Sequence, residues 1–588
     1  MKILKNRYFI AIALQMFLMT FLWGAENQLA RELRGRDDNG MVDVIVQYRN
    51  PATEATHQKI AAKGGTLLHH FAFIGASHYR IPANLLSELA DDPDVAYVSP
   101  DRPVQAFVDA SHAAVNAEYS YQFGVNGAGV GIAVIDSGIG SHDDLQGTVV
   151  YSQSFNGTST DDLFGHGTHV AGILAGSGQD STGRLYTHTF IGVATGASLI
   201  NLKVLDQNGA GSDSTVIQGI QAAIALKNQY NIRVINLSLG RPVLESYTQD
   251  PLCQAVEAAW KAGIVVVAAA GNYGRNNPTT SFGYGTITAP GNDPYVITVG
   301  AMKDMGTPSR TDDRIASYSS KGPTAYDLVV KPDIVAPGNL IDSTLAPSSK
   351  LTANYPATDI PLDAYESTTS TSPSTKYLQL SGTSMAAPYV SAASALLLQQ
   401  NSRLTPDQVK AQLMVTAYKN FPATSSYTDP TTGITYYEQY DVFTVGAGYL
   451  DIEAALASNN VAPRSLNANS PIAVFSTSSP SAVLSTSNGV SIATLVAGSN
   501  AIWGSNAIWG SNAIWGSNAI WGSNVIWGSN AIWGSTNLMT TATNAIWGSN
   551  AIWGSNAIWG SNAIWGSAVL NGASTGDSAM VVLAGGDQ

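Results

Sequence analysis

Of 588 residues only Cys253 is a cysteine, so no intrachain disulfide can form, and stability must come from a packed core or bound metal ions. Cys253 sits inside a helix-like stretch, Gln254 to Lys261 following Pro251, and reads as a small buried apolar residue. Positive charge is scarce: Lys and Arg total 29 against 42 Asp and Glu, a formal net charge of −13. Binding phosphates takes clustered Lys and Arg, so this balance speaks against a nucleic-acid partner. Beyond the first 23 residues no apolar run approaches the ~20 residues that span a bilayer. From Ser465 to Gly576 there is no charged residue at all.

What is present is long enough for two to four modules. Lys2, Lys5 and Arg7 precede an apolar run from Tyr8 to Trp23 and then Gly24-Ala25, the pattern of a secretory signal peptide over residues 1–25. Trp23 stands where a small side chain is usual before the cut, so an uncleaved anchor is the alternative. Either way the expected location is extracellular or cell-surface. A second module, 26–110, reads as a small α/β unit: strand Val42–Tyr48, helix Glu54–Lys63, strand Phe71–Arg80, helix Ala83–Leu89 and strand Val95–Val98. Irregular sequence from Asp101 to about Asn116 marks a boundary and a plausible cleavage region.

Residues 111–457 alternate buried strands with amphipathic helices. Strands are expected at Gly131–Ile135, Val149–Phe155, Ser198–Leu205, Val234–Leu239, Ile264–Ala269 and Val296–Ala301, and helices near Gly167–Ala175, Ser214–Tyr230, Gln254–Lys261 and Met385–Gln400. Continuously apolar strands need cover on both faces, which predicts an α/β fold with a parallel sheet between helix layers. A last helix is announced by Thr405 as N-cap, Pro406 at the first position and Gln408 three residues on. In such sheets chemistry gathers at the carboxyl ends of the strands.

Three segments carry chemistry. Asp136 closes the strand Gly131–Ile135; alone it is equally a turn or cap residue. Phe164-Gly165-His166-Gly167-Thr168-His169 places a histidine between glycines at a helix start, where its imidazole can project with little steric cover; a metal pair with His169 or a structural histidine are the alternatives. Ser381-Gly382-Thr383-Ser384-Met385-Ala386-Ala387-Pro388 holds a serine at a helix mouth, where unpaired N–H groups and the helix dipole favour negative charge, although a close-packed turn would look the same. Serine is a weak nucleophile that needs a base within reach, histidine titrates near neutrality, and a buried carboxylate fixes its tautomer. Asn272, after the most apolar strand, offers a side-chain amide for an oxyanion hole.

Together these motifs, in the order Asp, His, Ser, resemble the subtilisin-like serine proteases over about residues 115–457. The resemblance implies a triad of Asp136, His166 and Ser384 with Asn272 as oxyanion donor, and a secreted endopeptidase acting on proteins or peptides. It implies that Gly209-Ala210-Gly211 and Ser238-Leu239-Gly240 are edges pairing with an extended substrate, with Ala269-Ala270-Gly271 walling the specificity pocket; simple turns are the alternative. Residues 26–110 then resemble the family's propeptide, an inhibitor and folding aid removed by self-cleavage between about Ala106 and His112. No cofactor is needed for the chemistry. A structural calcium is left open: Asp144 matches one family ligand, while the loop Ser177–Phe190 departs from the family's calcium loop. Residues Leu340–Lys376 form a Ser/Thr/Pro-rich insertion, read as a tolerated surface loop in preference to a lid.

After a linker, 458–499, come ten hexapeptides Asn-Ala-Ile-Trp-Gly-Ser within 500–567, with Val525 the one variant and Thr536–Thr543 a spacer, followed by a tail, 568–588. A six-residue period suits a strand-turn unit, and stacking would build an Ile ladder on one side and a Trp ladder on the other. A β-repeat is expected, against a low-complexity tail. Its expected partner is a cell surface, a polysaccharide or another apolar surface, or a second copy of itself. A competing reading makes the whole chain a surface adhesin whose protease removes only its own propeptide.

Overall fold

The computed structural model describes residues 28–30, 33–34, 40–71, 75–100, 110–276, 281–347, 349–465, 467–475, 482–485 and 586–587. The expected signal peptide, residues 106–109 of the expected self-cleavage region 106–112 and the hexapeptide repeats lie outside the described residues. The chain divides into two units, 1–105 and 106–588. Helices of six or more residues are numbered below.

In the first unit β1 (Met41–Tyr48) buries Val42, Val44, Val46 and Tyr48 while the alternate residues face outward, the period-two pattern of a half-covered strand. Helix α1 (Glu54–Ala61) starts in a capping box between Thr53 and Thr56. Then follow β2 (Thr66–Phe71), β3 (Ala76–Pro82), α2 (Leu86–Asp91) and β4 (Val95–Pro100). The sheet is antiparallel throughout, in the order β2-β3-β1-β4. The single strand expected over Phe71–Arg80 is instead parts of two: β2 ends at Phe71, Gly75 takes a φ of +62°, and Phe71 pairs antiparallel with Ala76 at the start of β3.

The second unit is built on β5 (Gly131–Asp136), β6 (Val149–Ser154), α3 (His166–Ala175), β7 (Ser198–Lys203), α4 (Asp213–Tyr230), β8 (Ile232–Leu237), α5 (Pro251–Lys261), β9 (Val265–Ala269), β10 (Ile297–Lys303), β11 (Arg314–Ile315) and β12 (Ile334–Pro337). The sheet runs β11-β10-β9-β8-β5-β7-β6, with β12 also paired to β10, and every pairing is parallel except that of β11. Every residue of β5 and β9 is buried, because helices cover both faces. Strand order reverses beside β5: the chain builds β7 and β6 on one side of it and β8 and β9 on the other. The carboxyl end of β5, where Asp136 stands, is therefore the topological switch point at which doubly wound sheets bind ligands.

Beyond the sheet come β13 (Ile341–Thr344), β14 (Asp359–Pro361), β15 (Pro373–Leu380), α6 (Thr383–Gln400), α7 (Pro406–Thr416) and α8 (Ile452–Ala457). Helix α6 is buried along almost its whole length against β8, β9, β10 and α3. Thr405 and Gln408 close the expected capping box on α7. The insertion before Ser384 is more than a surface loop: β13, β15 and β14 form a sheet over a small core of Phe190, Ile360, Tyr365 and Tyr377. Its Ser349 hydroxyl and Lys350 and Leu351 N–H groups bond the carbonyls of Leu163 and Phe164 just ahead of His166. The linker also begins later than its composition implies. Ala462, Ala468 and Ala473 join the main core, Gln408 donates to the Ala462 carbonyl at 2.6 Å, and Ser470 donates to buried Asp333 at 2.5 Å. Uncharged Asn, Ser and Ala are free to pack as well as to dangle, so a lack of charge did not mark the boundary.

Candidate active site

Asp136 and His166 meet because α3 starts directly beside the end of β5. A Cβ on Gly167 would lie 2.2 Å from the Gly138 carbonyl and 3.1 Å from the Asp136 Cβ, so only glycine permits this approach. His166 Nδ1–H donates to Asp136 Oδ1 at 2.8 Å, and the Ser137 N–H donates to the same oxygen at 2.7 Å. The histidine is 5% exposed and packs beside Phe164, so the flanking glycines serve close packing and do not leave the ring open, as the sequence suggested. Burial opposes the charged imidazolium, but the charge and hydrogen bond of Asp136 and the charge of Asp162 outweigh it and raise the His166 pKa above 6.5. His169 is a structural residue: its Nε2 bonds the Ile341 carbonyl at 2.9 Å, and burial lowers its pKa to about 3.

Ser384 is the second residue of α6, whose N-cap is Gly382. Its N–H is one of the first-turn donors that a helix leaves unpaired. Its hydroxyl donates to the Ser238 carbonyl at 3.0 Å and makes no hydrogen bond to His166 in this conformation. Its carbonyl is freed from helical bonding because Pro388, four residues on, has no N–H, and the Ser238 hydroxyl takes up that acceptor at 2.7 Å. The proline thus docks the nucleophile segment against the end of β8.

Asn272 is held by its oxygen. Thr383 donates to Asn272 Oδ1 from its N–H at 2.9 Å and from its hydroxyl at 3.0 Å, while the Gly271 N–H donates to that hydroxyl at 3.0 Å. With Oδ1 spoken for, Nδ2 is the group left to face a developing oxyanion.

His166, Asn272 and Ser384 line one cavity of about 410 Å³, whose walls include Gly209, Ala210, Gly211, Ser238, Leu239, Gly240, Ala269 and Gly271. The backbones of Leu239, Gly240 and Gly211 form no hydrogen bonds among the described residues, whereas both backbone groups of Ala210 are engaged by Asp206. Ala270 does not reach the cavity. It is fully buried, with its N–H on Val299 and its carbonyl on Thr288, and Ala269 and Gly271 make the wall on either side of it.

Residues 127–448 match the sequence model of the subtilase family. The chain belongs to the subtilase family. Serine protease AprX of Bacillus subtilis (strain 168) is 39% identical over 345 residues, which cover 56% of this chain and 71% of that protein. Subtilisin E of the same strain is 34% identical over 365 residues, 61% of this chain and 79% of its own length. An alkaline protease of Alkalihalobacillus alcalophilus is 32% identical over 354 residues, 60% and 76% respectively. This subtilase is a serine endopeptidase acting on proteins or peptides.

Sequence reasoning passed over the residues that brace the subtilase site. Asp162, 1% exposed, accepts from the Ser137 hydroxyl, the Gly165 N–H, and both the N–H and hydroxyl of Thr168, all at 2.7–2.8 Å. Burial pushes its pKa up and these donors pull it back. Ser137 in turn accepts the Gly167 N–H at 2.9 Å. The only signal in the sequence was an acid four residues before His166 in a loop, which is indistinguishable from a solvated one.

At Asp144 the family resemblance would put calcium. His142, Asp144 and Asp180 offer ligand atoms within 4.8 Å of one another. Yet His142 Nδ1 accepts from the Asp144 N–H and its Nε2 donates to the Lys376 carbonyl, while Asp144 accepts from Tyr377 at 2.7 Å and from the Asp180 N–H at 2.8 Å. The Lys376 ammonium lies 2.8 Å from both Asp143 and Asp180. Calcium takes six to eight oxygens; these side chains are spent on one another and a lysine supplies the positive charge, so they do not fit the ion.

Proposed function

We propose that this subtilase is exported, removes its amino-terminal residues by self-cleavage between about Ala106 and His112, and hydrolyses external proteins through an acyl-enzyme on Ser384. The observation that carries the reading is the buried 2.8 Å contact between Asp136 and His166 at the end of the cavity that holds Ser384 and Asn272. In this scheme the Ser384 hydroxyl turns from the Ser238 carbonyl to His166 Nε2 and attacks the scissile carbonyl as its proton passes to the imidazole. The Asp136 side chain, bonded to Nδ1, holds the ring in place and stabilises the imidazolium. The oxyanion is met by Asn272 Nδ2 and the Ser384 N–H, already fixed by Thr383 and by the helix start, so little reorganisation is needed. The imidazolium then protonates the leaving amine, and water repeats the sequence to free Ser384. An extended substrate would pair with the unoccupied backbones of Gly211, Leu239 and Gly240.

The first unit acts in this reading as inhibitor and folding aid, and the repeats as an attachment or self-association surface. No cofactor enters the chemistry, and the Lys376 ammonium serves in place of a calcium, so chelators leave the melting temperature unchanged while Lys376→Ala lowers it.

The test is the amino terminus of the protein recovered from the medium, for wild type and Ser384→Ala, with casein hydrolysis measured on both. The proposal expects a shortened, casein-cleaving wild type and an unprocessed, inactive variant. Casein turnover that survives Ser384→Ala overturns the mechanism. A wild type that trims itself but cleaves no added protein or peptide favours the adhesin reading. For the repeats, equal binding to envelope fractions and insoluble polymer, and an equal monomeric mass, with and without residues 500–567, would remove both proposed roles.

A further inference from the structure

Gly586 and Asp587 lie inside the second unit, more than a hundred residues after the last described strand, Ala482–Ser485. Asp587 is 2% exposed. Its Oδ1 accepts from Arg275 Nη2 at 2.6 Å and from the Ser317 hydroxyl at 2.7 Å, and its Oδ2 accepts from the Ser317 N–H at 2.8 Å. Its backbone is met just as fully. The N–H donates to Asn339 Oδ1 at 2.7 Å, and the carbonyl accepts from Asn339 Nδ2 at 3.1 Å and Lys303 Nζ at 2.7 Å.

Two features make this a receptor with a side-chain preference. Gly586 takes a φ of +55°, and a Cβ there would lie 2.3 Å from Ser381 Oγ and 2.7 Å from Asn339 Oδ1, so shape admits only glycine. Arg275 is held in place independently of the C-terminus, by the Ser317 hydroxyl at 2.8 Å, by Asp429 at 3.3 Å and between the rings of Tyr427 and Tyr436. It is 16% exposed on its side chain, and a half-buried guanidinium lacking its second carboxylate would be costly. After Arg464 the sequence holds only two charged residues, Asp577 and Asp587, and one of them fills this pocket.

We propose that the catalytic unit carries a built-in receptor for Gly586-Asp587 of its own chain, so that the chain is fastened to this unit on both sides of the tryptophan repeats. The occupant is this segment of the same chain. The expected tail, 568–588, is thereby an anchor. The receptor draws on Arg275, three residues after Asn272, and on Asn339 beside Ser381, three residues before Ser384, but it does not depend on the catalytic role given to either.

The test uses the full chain carrying Ser384→Ala to prevent self-digestion, with a recognition sequence for a highly specific protease placed in the spacer Thr536–Thr543. After cutting, the carboxyl-terminal fragment should stay with the catalytic unit through gel filtration. Asp587→Ala and, separately, Gly586→Val should each weaken retention roughly 30-fold or more, the low end for losing one member of a buried charge pair. A synthetic peptide of residues 582–588 should displace the fragment from the unsubstituted cut protein, and the same peptide with Asp587→Ala should not; this arm requires no substituted protein to fold. Release of the fragment on cutting alone, or retention indifferent to both substitutions and to the peptide, overturns the proposal. An uncut protein whose mass rises with concentration, and falls with Asp587→Ala, would put a second copy's end in the pocket and overturn closure within one chain.

Discussion

Helices α3 and α6 begin on glycines, Gly165 and Gly382, with no side-chain cap, whereas α4, α5 and α7 begin on Ser212, Asp250 and Thr405, each accepting an N–H of its own first turn. The two uncapped helices carry His166 and Ser384. Two of their first-turn donors are used at a distance in sequence, the Gly167 N–H by Ser137 and the Thr383 N–H by Asn272; the Thr168 N–H goes to Asp162, six residues back and itself tied to Ser137, and the Ser384 N–H is left over. A local cap satisfies a helix start and nothing else. A long-range cap satisfies it and at the same time fixes the partner's position, so orphan donors become the means by which three distant segments are held in one site.

If that distinction is sound, disturbing a long-range cap should cost catalysis and disturbing a local one only stability. The largest effect is expected at Asn272, which caps α6 and, in the proposed mechanism, faces the oxyanion: Asn272→Ala should lower kcat by about 10²–10³-fold with little change in KM. A change confined to KM would mean that the amide binds ground state and transition state alike. Thr383→Val comes next. It removes one of two donors to Asn272 Oδ1 and leaves the Gly271 N–H without its acceptor, and a roughly tenfold fall in kcat, about 1.4 kcal/mol in the barrier, is expected from steady-state assays.

Asp162 tests the other helix through pH. The imidazole must be neutral to accept the serine proton, and its pKa is raised above 6.5, so the acid limb of kcat/KM lies above that value. Asp162 contributes to the rise. Asp162→Asn takes away a negative charge that favours imidazolium, so His166 stays neutral to lower pH and the limb moves toward acid. The variant also turns an amide donor toward the Thr168 donors and lowers the melting temperature. A limb displaced toward alkali would contradict the electrostatic role.

The same distinction explains what could be read from the sequence. Local caps are written in neighbouring letters, so Thr405-Pro406-Asp407-Gln408 announced α7, and apolar runs announced β5 and β9. The candidate triad was named because its three motifs match a family pattern, and the structure brings Asp136 to His166 and lines one cavity with His166 and Ser384. Ser137 and Thr383 were not, because their partners lie 25 to 112 residues away, and Asp162 was not, because the bond that ties it to the site, from Ser137, spans 25 residues while its nearer partners Gly165 and Thr168 leave it looking like an ordinary loop acid. The same applies to Ala270, whose neighbours on both sides line the cavity while its own backbone is spent on Val299 and Thr288. Gly586 and Asp587 are the extreme case, since their partners stand 248 to 312 residues back.

The smallest effect should come from Thr405. Its hydroxyl accepts the Gln408 N–H at 3.2 Å, and its own N–H donates to Gln408 Oε1 at 3.0 Å, so this cap is closed within four residues. Ser212 would be an ambiguous choice because it also lines the cavity. Thr405→Ala should lower the free energy of unfolding by about 1 kcal/mol in denaturant titration and leave kcat and KM at their wild-type values. Helix α7 packs directly on α6, so the experiment is demanding: a fall in kcat comparable to that of Thr383→Val would mean that strain at a local cap reaches Ser384 through the core. The two kinds of helix start would then differ in sequence distance alone and not in what they do.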